Sequence, residues 1–159
     1  MNQTAEIREK VRAATLFHDF SDQELDAFID LQDVERFPAG ECIVKQDADG
    51  DCMYLLIEGT ARVVHHKDGR DVDLATVKGG DFFGELALVD RGPRSADVEA
   101  LEDCVLLKLT HASISAMAGV YPRAAFKFLI ALGRILVDRL RSTNQRYVDS
   151  LLFPIVGKE

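Results

Sequence analysis

Gly80-Asp81-Phe82-Phe83-Gly84-Glu85-Leu86-Ala87-Leu88, followed a few residues on by Pro93-Arg94-Ser95-Ala96, sets a glycine, a carboxylate and a guanidinium close together in the chain. Gly84 has no Cβ, so its backbone can approach a ligand closely. Glu85 to Leu88 can open a short helix whose unpaired N–H groups point toward a negative charge. Arg94 can grip a phosphate through two parallel hydrogen bonds, which a lysine cannot copy. Glu85 fits beside an anion if it accepts from a neutral donor on the same ligand, such as a sugar hydroxyl. The implied ligand carries a phosphate and a hydroxyl close together. The plainer alternative is a glycine turn beside a surface ion pair between Glu85 and Arg94.

Around this stretch the chain reads as short apolar runs cut by glycine and acidic turns, from Val34 to Leu109. Met53 to Ile57 and Ala61 to Val64 read as strands joined by Glu58-Gly59-Thr60. Lys67-Asp68-Gly69-Arg70 is a hairpin signal, because Asp-Gly suits a type I′ turn. Val72 to Val77, then Val98, then Val105 to Leu109 complete the set. Strands this short and this closely spaced indicate an antiparallel barrel or jelly roll.

The flanks are helical. In residues 4–35, Ile7, Val11, Ala14 and Leu16 give an apolar stripe, and Ser21-Asp22-Gln23-Glu24 matches a capping box ahead of Leu25, Phe28 and Ile29. Ala112 to Val120 reads as a short helix, and Pro122 can start the next. Arg123 to about Leu151 then forms one long helix. Leu129, Gly133, Leu136, Leu140, Thr143, Tyr147 and Ser150 step along it as an a/d seam, the pattern of a two-stranded coiled coil. A homodimer through this helix is expected. The alternative is that the same stripe packs on the barrel. The expected fold is therefore α+β, mainly β, in a single domain: N-terminal helices over 1–35, an antiparallel barrel over 36–110, and C-terminal helices over 111–159.

With 159 residues, 47% hydrophobic and 29% charged, the chain suits one globular domain with a core. Nineteen basic against 27 acidic residues leave a net charge of −8, which argues against nucleic acid or an anionic membrane as partner. No stretch approaches the ~20 apolar residues needed to span a bilayer. The polar N-terminus does not read as a signal peptide, and Cys42, Cys52 and Cys104 form no Cys-x-x-Cys pair, so reduced thiols in a cytoplasmic protein are expected. His18, His65, His66 and His111 are read as structural or surface residues, with no metal site. No nucleophile elbow, phosphate-binding Walker loop or metal-ligand cluster is visible, so neither an enzyme nor a cofactor is expected. The last eight residues, from Leu152, are too few for a further domain.

The string FGELALVDRGPRSADV, residues 83–98, resembles the phosphate-binding cassette of cyclic nucleotide-binding domains. That family includes kinase regulatory subunits, cyclic-nucleotide-gated channels and the bacterial catabolite activator. The resemblance runs from about Leu16 to Tyr147. It implies a β-roll interrupted by a cassette over 80–97, with a short cassette helix, and cAMP or cGMP as ligand. By the same resemblance, Glu85 would take the ribose 2′-hydroxyl and Arg94 the cyclic phosphate. The amides of Gly84, Leu86 and Ala87 and the hydroxyl of Ser95 would complete a cradle flanked by Phe83 and Ala96. Ser95 stands where cGMP-selective members commonly carry threonine. Thr143-Asn144 stands where the catabolite activator has a pair touching adenine. Both features point to cAMP over cGMP. Two positions depart from the family: Asp97, where a small or β-branched residue is commoner, and Asp47, where glycine is. The expected function is a sensor that signals through its C-terminal helix. The rival is a protein-interaction module that keeps the fold without the ligand.

Overall fold

The computed structural model describes residues 3–153; residues 1–2 and 154–159, the ends of the N-terminal and C-terminal segments discussed above, lie outside the described residues. Helix α1 (Gln3–Ala13) leads through a 3-10 turn (Thr15–Phe17) into α2 (Asp22–Asp30). The capping box at α2 is formed: Ser21 Oγ accepts from the Glu24 amide, and the Glu24 carboxylate accepts from the Ser21 amide. The helical region stops at Asp30, short of residue 35. Strand β1 (Asp33–Phe37) takes over because its backbone pairs with a later strand. Strands β2 (Cys42–Val44), β3 (Cys52–Glu58), β4 (Thr60–Lys67), β5 (Arg70–Lys78) and β6 (Phe82–Phe83) follow. Then come α3 (Glu85–Asp90), β7 (Asp97–Ala100), β8 (Cys104–Thr110), α4 (His111–Val120) and α5 (Pro122–Leu152).

Two four-stranded sheets face one another, in the orders β1-β8-β3-β6 and β2-β7-β4-β5, and every named strand pair is antiparallel. The hairpin between β4 and β5 turns at Asp68 and Gly69 with φ of 53° and 73°, the two positive angles a type I′ turn requires. The architecture is mainly antiparallel β, jelly-roll-like, with helices at both ends of the chain.

The continuous apolar run in β3 has a simple cause, since both faces of the strand are covered. Met53, Leu55 and Ile57 face the helices, while Cys52, Tyr54 and Leu56 face the second sheet. In β8, Leu107 and Leu109 take the helical side and Leu106 the inter-sheet side. In β6, Phe82 and Phe83 divide in the same way. The helical layer is locked by aromatic contacts among Phe17, Phe28 and Phe128, with Phe17 and Phe28 centroids 4.6 Å apart and Phe28 and Phe128 6.0 Å apart. Glu24 and Lys127 also join α2 to α5 at 2.7 Å.

Helix α5 faces two ways. Ala124, Ala125, Phe128 and Leu132 are buried, and Ile135 and Leu136 pack on the same core. On the outer side Ile130, Val137, Leu140, Tyr147 and Leu151 stand exposed. The seam read from the sequence is thus displaced in part. Leu136 turns to the core and Thr143 to a cavity, whereas Leu129, Leu140 and Tyr147 stay outward. No helix among the described residues is long and apolar enough to cross a membrane.

Candidate functional site

The site is a cavity of about 790 Å³ between the second sheet, the α3 segment and the inner face of α5. Its floor is apolar, from Val44, Val63, Val77 and Val98. Phe83, Gly84, Glu85, Leu86 and Ala87 line one wall, and Pro93, Arg94, Ser95 and Ala96 lie beside them. Asp138, Arg139, Ser142, Thr143 and Arg146 close it from α5. Nine of the ten residues singled out in the sequence therefore border one cavity, and Asn144 is the one that does not. On a helix, adjacent residues lie about 100° apart, so the wall that takes Thr143 turns Asn144 toward solvent.

The backbone explains why these residues meet. Gly84 adopts φ 79°, a left-handed conformation that glycine adopts without steric cost, and it redirects the chain from β6 into α3. A Cβ there would come within 2.5 Å of the Arg94 Nη1 atom. On the far side, the turn after β2 is zipped to the segment that carries Arg94: the Asp47 amide donates to the Arg94 carbonyl and the Arg94 amide to the Ala48 carbonyl, each at 2.9 Å. Asp47 takes φ 66°, which accounts for the family's glycine at that position. Gly50 matters in a way the sequence did not announce. A Cβ on it would run into the Arg94 guanidinium and lie 2.9 Å from the Ala87 Cβ.

Arg94 is buried, 8% exposed, and its contacts are neutral. Nη1 donates to the Cys52 carbonyl at 2.7 Å and to the Gly84 carbonyl at 3.2 Å, and Nη2 donates to the Cys52 Sγ at 3.3 Å. No carboxylate pairs with it among the described residues. The surface ion pair with Glu85, the plainer reading of the sequence, is not what forms. Glu85 instead accepts from Arg139 Nη1 of α5 at 2.6 Å. The Arg139 guanidinium also sits 4.6 Å from the centroid of the Phe82 ring, a cation–π contact. Arg139 and Cys52 are thus site residues that the motif does not contain. One of them lies 54 positions from Glu85, and the other presents only a backbone carbonyl and a thiol.

Asp97 faces away from the cavity. Its carboxylate accepts from the Gln46 amide at 2.6 Å and from His66 Nε2 at 2.9 Å. Behind the wall, Tyr54 stacks on Phe83 with centroids 5.5 Å apart, and burial together with nearby Cys52 and Glu35 pushes its phenol well above the ordinary value. Chemically, the cavity offers a buried cation, an adjoining carboxylate and an apolar floor. That combination suits a ligand with an anionic end, a hydroxyl and a flat apolar body.

Comparison with known proteins points the same way. The profile described as "Cyclic nucleotide-binding domain" matches residues 34–120. The chain is similar to the Cyclic AMP receptor protein of Thermus thermophilus, 32% identical over 135 residues that make up 84% of this chain and 61% of that protein. It is also similar to a cAMP-dependent protein kinase regulatory subunit of Emericella nidulans, 42% identical over 80 residues, or 50% of this chain and 19% of that one. The chain thus spans less than two thirds of the length of either relative. Among solved structures, a cyclic nucleotide-binding domain from Methylobacillus flagellatus superposes with a TM-score of 0.79 at 25% identity, covering 98% of this chain and 85% of that one.

Proposed function

Since the chain belongs to the cyclic nucleotide-binding domain family, we propose that its cavity binds a cyclic nucleotide, cAMP in preference to cGMP, and that binding is relayed through α5. The observation that carries this reading is Arg94. A buried guanidinium with only neutral partners is costly to maintain, and a cyclic phosphate is the anion that would compensate it. Glu85 would accept from the ribose hydroxyl, and Ser95, with the backbone of Gly84, Leu86 and Ala87, would complete the phosphate cradle. The apolar floor takes the base. The reading calls for binding without turnover and for no metal or prosthetic group.

Glu85 supplies the relay. Its carboxylate is already bonded to Arg139, so a hydroxyl arriving at Glu85 competes for the contact that ties α5 to α3. The proposed signal is a shift in the population of α5 positions, driven by that differential contact. Base preference rests on Ser95, where a threonine would favour guanine, and on Thr143-Asn144. Thr143 lines the cavity, whereas Asn144 would reach the base only if α5 turned or a second subunit presented it. A homodimer along the outer face of α5 belongs to the same proposal. Ile130, Gly133, Val137, Leu140, Asn144, Tyr147 and Leu151 recur there at alternating steps of three and four.

Calorimetry with cAMP and cGMP separately is the test. Heat of binding with cAMP tighter than cGMP is the expected result. Tighter cGMP would reverse the base preference and leave the cradle standing. Binding of neither would favour the interaction-module alternative.

A further inference from the structure

We propose that His66 is a proton-operated clamp on the end of the ligand-binding segment. The ring lies between two carboxylates: Nδ1 is 2.6 Å from Asp71 Oδ1 of β5, and Nε2 is 2.9 Å from Asp97 Oδ2 of β7. An ionised carboxylate only accepts hydrogen bonds. Both contacts are therefore hydrogen bonds only when both ring nitrogens carry hydrogen, that is, in the imidazolium. A neutral ring must give up one contact and set a lone pair against a carboxylate oxygen.

What the clamp holds is specific. Asp97 lies three residues after Arg94. Its other oxygen accepts from the Gln46 amide at 2.6 Å, in the turn whose backbone is zipped to Arg94. The Gln46 side chain returns to the His66 backbone twice, donating to its carbonyl at 2.9 Å and accepting from its amide at 2.8 Å. Next to it, His65 Nδ1 donates to the Ser95 carbonyl at 2.9 Å. Adjacent histidines thus hold Ser95 and Asp97, with the Arg94 segment fixed between the β4–β5 hairpin and the turn after β2.

The charges facing His66 favour the proton. Asp71 and Asp97 touch it. Glu99, the next carboxylate along β7, is held by Arg62 at 2.7 Å, and Asp73 lies 3.7 Å from the same guanidinium. Lys45 acts on Asp97 from the β2 side. The bonds from Asp71 and Asp97 raise the His66 pKa above 6.5. Burial works against ionisation of Asp97, but the Gln46 amide and His66 outweigh it and hold that carboxyl below its usual range. A raised imidazole pKa contributes stability that is fully present below about 6.5, the unfolded value, and is lost as pH rises through the folded value. The clamp therefore loosens as pH rises above 6.5 and through the raised value of the ring.

The effect on nucleotide affinity rests on the binding function proposed above, whereas the clamp itself does not, so the experiment has separate arms. Two arms need no ligand. NMR titration of the His66 ring should give a pKa above the ordinary value, falling toward it in Asp97→Asn or, should that variant not fold, in Asp71→Asn. Thermal melts of the parent should lose more stability between about pH 6 and pH 8 than those of His66→Gln. A ring that titrates at or below its ordinary value, or that ignores both carboxylates, overturns the clamp. In the third arm, the affinity of the parent for cAMP should fall roughly two- to fivefold over that range and stay flat in His66→Gln. An equal fall in both removes the link to the ligand segment. Absence of any binding to cAMP or cGMP counts against the nucleotide reading alone, because the first two arms still decide the clamp.

Discussion

At the scale of single residues, Arg94 has two dependencies: its own fork and the two glycines that leave room for it. Replacing the guanidinium with a point charge should cost the phosphate contact about 1.5–3 kcal/mol, or roughly ten- to a hundredfold in affinity. Calorimetry on Arg94→Lys checks this, and affinity equal to the parent's would be decisive against the assigned role. Gly50→Ala tests the same geometry from outside the motif. Its Cβ must displace the guanidinium or Ala87, so nucleotide affinity should drop although Gly50 itself does not line the cavity. If Gly50→Ala bound as the parent does, Arg94 would not need its present position. Glu85→Ala should remove discrimination between the ribose ligand and its 2′-deoxy analogue. Because Glu85 also holds Arg139, it should loosen α5 as well.

At the scale of elements, the helical layer is ordered by a few defined contacts, and Glu24 takes part in two of them. It closes the capping box at the start of α2 and bonds Lys127 of α5. The Lys127 bond is the main influence lowering its pKa from 4.5; burial opposes the shift and the Ser21 contacts reinforce it. A depressed carboxyl contributes stability that is present above its unfolded pKa and is lost as pH falls through the folded value. The parent should therefore be more stable than Glu24→Gln at neutral pH, and the gap should narrow progressively in melts taken as pH falls below 4.5. Ser21→Ala removes only the cap and should cost about 1 kcal/mol at neutral pH. A gap between parent and Glu24→Gln that persists unchanged in acid would show that Lys127 is not the partner that matters.

At the scale of the whole molecule, α5 has one face in the core and another in solvent. Phe128 joins α5 to Phe17 and Phe28, so Phe128→Ala should cost about 3–5 kcal/mol in denaturant unfolding. The outer face predicts a parallel pair of helices. Leu140 is 60% exposed in the single chain, and Leu140→Glu would place a charge inside the seam. Sedimentation should give a dimer for the parent at micromolar concentration and a monomer for the variant. A monomeric parent would sink the dimer and leave the cavity untouched.

The sequence by itself determined most of the architecture. The short apolar runs, the Asp68-Gly69 turn and the Ser21–Glu24 box are local signals, and each is written within a few residues of where it acts. The cassette was legible for the same reason: Gly84, Glu85 and Arg94 lie within one short stretch, although Cys52 and the turn after β2 fix where Arg94 points. What only the tertiary structure decided is whatever depends on contacts distant in sequence. Heptad spacing could not tell which face of α5 meets the core, since Leu136 and Leu140 are equally apolar, and the barrel's helical layer claimed the first. The β1 pairing with β8 ended the N-terminal helical region at Asp30. The bond between Glu85 and Arg139, the space that Gly50 leaves for Arg94, and the bond between His66 and Asp97 join segments distant in the chain, whereas Asp71 meets His66 across the β4–β5 hairpin. The distant contacts exist because β4 pairs with β7, the turn after β2 closes on the Arg94 segment, and α5 folds back across the cavity.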